Sequence, residues 1–112
     1  MKKFDPEFKY MGSLLKFIDT EYMTKEDYDK IEDFDYNIEE DQIEIIRRLI
    51  VIGINAQYND FELDKFRHVL GMCMDLSEKE IEELFQMYSP CDDILDKKGF
   101  INNIYKELFE PL

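Results

Sequence analysis

The chain has 112 residues, of which 45% are hydrophobic and 37% charged, and its formal net charge at pH 7 is −13. This composition excludes a wholly disordered chain, and with only four Gly and three Pro it favours helices over a turn-rich all-β fold. The negative charge repels nucleic-acid phosphates and anionic lipid and attracts Lys- and Arg-rich partners, although an acidic surface also serves solubility alone.

Neither a membrane span nor a disulfide framework is indicated. No apolar run reaches the roughly 18–20 residues needed to cross a bilayer, and Met1–Pro6 lacks the apolar stretch of a signal peptide, so we expect a cytoplasmic protein without membrane insertion. Cys73 and Cys91 do not have the spacing of a zinc site, and His68 is no obvious third ligand. We predict two free thiols, with Cys73 buried, and neither metal nor cofactor.

The N-terminal part predicts two short helices and an acidic linker. Apolar side chains at helical spacing predict the first helix over Pro6–Phe17. Thr24 is an N-cap candidate for the second helix, and Asp27 three residues later completes a capping box. Residues 32–41 are strongly acidic, and we expect a linker with an extended piece there.

Four further helices are predicted in the rest of the chain. They cover Asp41–Gly53, with Gly53 as a candidate stop, and Glu62–Met74 after a polar connector over Asn55–Asp60. Ser77 opens the next helix with a capping box, and the last helix covers Gly99–Phe109.

A unit of helix, polar loop, single apolar residue and helix recurs around Met23, Phe61 and Leu95. An EF-hand has this order, and its apolar loop residue pairs in a short strand with the neighbouring hand. Phe61–Leu70 resembles the exiting helix of the third hand of calmodulin, and Asp75–Phe85 resembles the linker and entering helix of the fourth. The resemblance covers residues 41–109 and, less closely, 7–31. A generic helical bundle is the competing interpretation.

The resemblance implies an all-α fold of EF-hand-like pairs. Residues 1–38 would form a degenerate N-terminal region with a linker, and residues 39–112 a C-terminal lobe. The calcium ligands of the family are not conserved in these loops. Asn59 and Lys65 replace the Gly and the bidentate Glu of the second loop, Gly99 replaces the Glu of the third, and Asp27 of the first is one methylene shorter than Glu. We expect no calcium site.

The degenerate, shortened loop within Tyr88–Phe100 resembles those of apicomplexan myosin light chains, including the myosin tail-interacting type. This resemblance implies a calcium-independent adaptor that binds and stiffens the basic amphipathic (IQ-type) neck helix of a myosin heavy chain, in a cytoplasmic motor complex. The sequence is shorter than the family pattern, with room for one clear N-terminal hand.

Binding a helix in a groove requires apolar anchors surrounded by complementary charge. The candidate groove residues are Ile46, Leu49, Ile50, Phe66, Leu70, Met72, Met74, Leu84, Phe85, Met87, Phe100, Ile104 and Leu108. The candidate acidic rim consists of Glu39, Glu40, Asp41, Glu44, Asp75, Glu78, Glu82 and Glu83. A place in the core is the competing interpretation for each apolar residue. Met72, Met74 and Met87 are the strongest groove candidates, because they flank the main apolar stripes.

An enzyme and an acidic inhibitor are the two other classes of protein on which the sequence bears. The chain has one His, no Gly-rich phosphate loop and no nucleophile beside a base, so we expect no catalytic residues. An acidic helical inhibitor or immunity-type protein that binds a basic partner protein, or a DNA mimic, is the stronger alternative. A myosin neck peptide would bind a light chain, whereas an inhibitor would bind a folded enzyme.

Overall fold

The computed structural model describes residues 6–19, 22–88 and 94–110, without the side chains of residues 6, 7, 87 and 88. Within these ranges the chain is helical and contains no strand, which confirms the predicted all-α class. No helix in the described ranges is long and apolar enough to cross a membrane.

The described residues form six helices. They are α1 (Tyr10–Leu15), flanked by 3-10 turns at Pro6–Lys9 and Lys16–Ile18, α2 (Lys25–Ile31), α3 (residues 39–57), α4 (Asp60–Cys73), α5 (Glu78–Tyr88) and α6 (Lys97–Phe109). Helix α3 is continuous but not uniform, because a π-helical segment at Ile46–Val51 separates the α-helical segments Glu39–Ile45 and Ile52–Gln57.

Capping boxes begin three of these helices. Thr24 and Ser77 each accept a hydrogen bond from the backbone N–H three residues later, and the backbone N–H of each donates one to the carboxylate of that later residue, so both predicted boxes are confirmed. A third box, in which Asn59 pairs with Glu62 at the start of α4, was not among the predictions.

The junction between α3 and α4 differs from the prediction. We expected a polar connector over Asn55–Asp60, but α3 continues to Gln57 and only two residues separate it from α4. Two contacts account for this. Ile54 is completely buried and extends the apolar face of α3, and the ring of Tyr58 packs edge-on against Phe66, with 4.9 Å between ring centroids.

All six helices contribute to one hydrophobic core. Helix α1 packs against α4 and α5, while α6 packs against α3, α4 and α5. The largest fully buried side chains come from both the N-terminal and the C-terminal parts of the chain: Met11, Leu14, Leu15, Ile18, Ile45, Ile46, Ile50, Ile54, Phe66, Leu70, Phe85 and Phe100. Residues 1–38 and 39–112 therefore share this core.

Lys16 joins the N-terminal segment to the α3–α4 junction. Its Nζ donates hydrogen bonds to Oε1 of Gln57 (3.1 Å) and to the hydroxyl of Tyr58 (3.0 Å). The same ammonium lies 5.0 Å from the ring centroid of Phe17 and 5.4 Å from that of Tyr22. An ammonium close to several aromatic faces is stabilised by cation–π attraction.

Candidate binding surface

Most of the predicted groove residues lie in the closed core. The following members of that set are at most 5% exposed: Ile46, Leu49, Ile50, Phe66, Leu70, Leu84, Phe85, Phe100 and Ile104. Helical spacing identified the buried faces of the helices, but these residues do not line an open groove. Met72, Met74 and Leu108 are half-buried against the core, and the side chain of Met87 lies outside the described part of the chain.

The structure does not confirm the predicted EF-hand pairing through Phe61 and Leu95, and neither residue lies in a strand. Phe61 lies in the first turn of α4 and is 71% exposed, with Nζ of Lys65 at 5.3 Å from its ring centroid. Leu95 precedes α6 and is 80% exposed. Phe61 is helical because the Asn59 capping box starts α4 one residue before it.

The supposed calcium loops are also different in the structure. Residues 54–65 belong mainly to α3 and α4, and Asn59 and Glu62 serve as helix caps. The first and third supposed loops contain residues 20–21 and 89–93, which lie outside the described residues. Within the described ranges, no group of three or more His, Cys, Asp or Glu side chains is placed to hold a metal ion.

The predicted rim residues fall into two kinds. Glu39, Glu40, Asp75, Glu78 and Glu82 are exposed, whereas Asp41, Glu44 and Glu83 are half-buried. Two of the half-buried carboxylates stabilise the fold directly. Asp41 accepts a hydrogen bond from the backbone N–H of Asp35 (3.1 Å), and Glu44 accepts one from Nε of Arg48 (3.1 Å).

The structure brings separate parts of this rim to the two sides of Leu95. A cleft of about 410 Å³ between the start of α3 and α6 has Glu39, Leu95 and Asp96 in its wall, together with Lys106. A second cleft, of about 200 Å³, has Glu78 and Glu82 together with the same Leu95 and Asp96, and its wall also contains Lys97 and Lys98. We call Glu39, Glu78, Glu82, Leu95 and Asp96 the Leu95 surface.

The backbone of Leu95 is fixed although its side chain is exposed. Its N–H donates a 2.8 Å hydrogen bond to Oδ1 of Asn37, which lies 58 residues earlier in the chain. Asn37 is itself held, because its N–H donates to Oδ1 of Asp35 (2.8 Å). On the other side, Asp96 caps α6 by accepting a hydrogen bond from the backbone N–H of Gly99 (2.9 Å). These contacts orient Leu95 towards solvent.

The buried side chain of Lys97 holds two parts of the Leu95 surface together. The Lys97 side chain is only 9% exposed, and its Nζ donates to Oε1 of Glu82 (3.1 Å) and to the carbonyl of Ile94 (2.8 Å). The ammonium also lies 5.9 Å from the ring centroid of Phe85. Glu82 is thus tied to the start of α6, and the ion pair links α5 to the Leu95 surface.

The side chain of Gln42 links the acidic linker to α6 through two hydrogen bonds. Gln42 is 7% exposed, donates from Nε2 to the carbonyl of Tyr36 (2.7 Å) and accepts from Nδ2 of Asn103 (2.7 Å). It was not among the predicted site residues. Its spacing from Ile45, Ile46 and Leu49 on α3 is helical, and that position on the buried face is the signal that would have identified it.

Met72 and Met74 line a separate cleft of about 510 Å³ between α4 and α6. Arg67 and Tyr105 form part of the same wall, and Nε of Arg67 donates to the Tyr105 hydroxyl (3.3 Å). This hydrogen bond raises the pKa of Arg67, so the guanidinium remains charged.

Of the two cysteines, the structure describes Cys73 and not Cys91. Cys73 is a free, fully buried thiol, as predicted. Burial raises its pKa to about 12. Since the thiolate is the reactive form, Cys73 has neither the access nor the ionisation of a nucleophile.

No protein-family model, curated protein or solved structure matches this chain.

Proposed function

We propose that the chain is a non-catalytic binding protein whose partner is a cationic protein. The observation that supports this is the Leu95 surface, where an 80%-exposed Leu with a fixed backbone lies between exposed Glu39 and Glu78. A partner that covers this Leu would bury its apolar surface, while the polar residues around it would exclude water from the contact. The two clefts beside Leu95 contain one carboxylate more than they contain lysines, so it is mainly the net charge of −13 of the whole chain that steers a basic partner and repels acidic ones.

The closed core favours docking on the outer surface. Anchors such as Phe66 and Phe85 are 1% exposed, so an incoming helix could reach them only if the core opened. A partner that binds the Leu95 surface requires no such change, and rigid docking is the common case for pre-organised complexes. An acidic inhibitor or immunity-type protein that binds a basic folded protein is therefore the mode that the geometry supports best.

A calcium-independent myosin light chain-like adaptor is the second candidate. The observation that favours it is the open cleft between α4 and α6, in which Met72 and Met74 offer adaptable apolar contacts. In this role the chain would bind and stiffen the basic amphipathic neck helix of a myosin within a cytoplasmic motor complex. Of the two candidates, only this one includes an EF-hand-like arrangement of the helices.

The test is affinity capture with matched variants, followed by calorimetry on the purified pair. Leu95→Ser removes the apolar anchor, and Phe61→Ser removes an equally exposed apolar side chain outside the Leu95 surface. We expect the wild type and Phe61→Ser to capture the same basic protein. Leu95→Ser should bind that protein at least about tenfold more weakly, which is a loss of about 1.4 kcal/mol in binding free energy. Binding should also weaken as salt rises.

The identity of the captured protein separates the two candidates. A folded basic enzyme supports the inhibitor mode, and a myosin heavy chain supports the light-chain mode. If no basic protein distinguishes Leu95→Ser from Phe61→Ser, the Leu95 surface is not the binding site and the proposal is wrong.

A further inference from the structure

Gly71 lies inside α4, and none of the described residues requires it to be glycine. Its backbone is helical, and no glycine in the described residues has a positive φ. A Cβ at Gly71 would meet no heavy atom within 4 Å among the described residues, whereas a Cβ at Gly53 would overlap the ring of Phe17. Gly inside a helix is less stable than Ala, so this position reduces the stability of α4 and gains no internal contact.

The open space above Gly71 belongs to the cleft between α4 and α6. Gly71 lies between Arg67 and Met74 along the α4 side of this cleft, and Tyr105 lines the α6 side. The cleft volume of about 510 Å³ is larger than that of either cleft at the Leu95 surface. A helix without a side chain at its contact point allows a second helix to approach its backbone closely.

The charges around this cleft favour a cationic occupant. Asp75 and Glu110 line it, and Asp64 and Glu110 lie near enough to Arg67 to interact with it electrostatically. The charged side chains of the cleft wall are thus two carboxylates, Asp75 and Glu110, and one guanidinium, with His68 beside them. The guanidinium is already engaged by Tyr105 and lies 5.8 Å from the ring centroid of Phe109. Lys and Arg side chains of a ligand are attracted to this site, and acidic ones are repelled.

We infer that the cleft between α4 and α6 receives a basic amphipathic helix of the partner, which packs against the bare backbone at Gly71. The apolar side of this helix contacts Met72 and Met74, and its basic side faces Asp75 and Glu110. This inference rests on the proposed function. It adds the cleft between α4 and α6 to the Leu95 surface and specifies the part of the cationic partner that this cleft recognises.

The test uses a synthetic Leu/Lys amphipathic peptide of roughly 20 residues, long enough for a helix of about 30 Å. Gly71→Ala should raise the melting temperature of the protein and yet weaken peptide binding at least about fivefold, and Gly71→Leu should weaken binding further. The matched control is Ala56→Gly, the reverse substitution at an exposed position of α3. It should lower the melting temperature and leave the Kd for the peptide unchanged.

A higher melting temperature combined with weaker peptide binding in Gly71→Ala would support the inference. Replacing a glycine that is needed only for the fold would lower both the stability and the affinity. Unchanged peptide affinity in folded Gly71→Ala and Gly71→Leu would overturn it, as would a lower melting temperature in Gly71→Ala. Those results leave the proposed function intact if Leu95→Ser still weakens capture of the basic partner. Failure of the wild type to bind either the peptide or any basic protein would instead overturn the proposed function.

Discussion

The ring of Phe17 occupies the space next to Gly53 that a Cβ would fill. Phe17 is 7% exposed and packs edge-on against Tyr22, with 5.7 Å between ring centroids. We expected Gly53 to end the third helix, but α3 continues past it to Gln57. Gly53 is therefore required by a close contact between the N-terminal segment and the middle of a helix.

Gly53→Ala is expected to destabilise the protein. The added methyl group would force Phe17 or α3 to move, and overpacking of this kind costs about 1–3 kcal/mol. Urea unfolding followed by circular dichroism measures the change in the free energy of unfolding. The matched substitution Gly71→Ala should instead increase the free energy of unfolding by about 1 kcal/mol. Equal effects at the two glycines would contradict the packing described for them.

The ion pair between buried Lys97 and exposed Glu82 should respond unequally to loss of its two partners. Lys97→Met leaves the buried carbonyl of Ile94 without its hydrogen bond, so we expect a loss of about 1–3 kcal/mol. Glu82 is half exposed, and Glu82→Gln should cost only about 0–1 kcal/mol. Thermal and urea unfolding of both variants test this order, and a larger cost for Glu82→Gln would contradict it.

Gln42→Glu is expected to make the stability of the protein depend on pH. The wild-type amide donates to the Tyr36 carbonyl, whereas a carboxylate would face that carbonyl oxygen and be repelled by it. The folded-state pKa of the introduced Glu would therefore lie above its unfolded value of about 4.3. The destabilisation relative to wild type should be small below about pH 4 and grow towards pH 7. Unfolding midpoints for both proteins across this range measure it, and a constant difference would contradict it.

The thiol of Cys73 should react only when the protein unfolds. In Cys91→Ser, which leaves Cys73 as the single thiol, a thiol-specific reagent at neutral pH should label the native protein far more slowly than the protein in urea. The native pKa of about 12, against an ordinary value of 9.0, also means that the unfolded chain loses this proton first. The stability contributed by Cys73 is therefore complete below pH 9 and is lost as the pH rises towards 12. Rapid labelling of the native protein would show that Cys73 is accessible.

Calcium should leave helicity and melting temperature unchanged. Within residues 54–65 the oxygen atoms of Asn59 and Glu62 accept backbone hydrogen bonds at the start of α4, and their release would weaken that helix. Thermal melts in calcium and in a chelator provide the measurement. A rise in melting temperature at micromolar calcium would contradict this expectation.

Local sequence signals were sufficient for much of the fold. The capping residues Thr24 and Ser77 marked two helix starts, and apolar periodicity placed Phe66 and Phe85 in the core. The role of Gly53 was not predictable, because the reason for this glycine is a close contact with Phe17 from another part of the chain and not the end of a helix. Local propensity does not report such tertiary contacts.

The candidate surface was less predictable than the fold. The same helical periodicity predicts a core residue and a groove residue, so Leu70 stands among the groove candidates with Met72, although only Leu70 is fully buried. The position of exposed Leu95 is held by a hydrogen bond that its N–H donates to Asn37, 58 residues away, and no local pattern indicates it. The acidic residues of the rim were visible in the sequence, but their grouping around Leu95 was not.

The packing of α1 on α4 and α5 has a consequence for how the molecule is made. During synthesis α1 is made before α4 and α5, and Met11 and Leu14 of α1 are buried only when those two helices are in place. Long-range contacts of this kind slow folding and leave apolar surface open in the meantime. The abundant carboxylates of the growing chain repel its neighbours during that interval and thereby limit aggregation before the native state is reached.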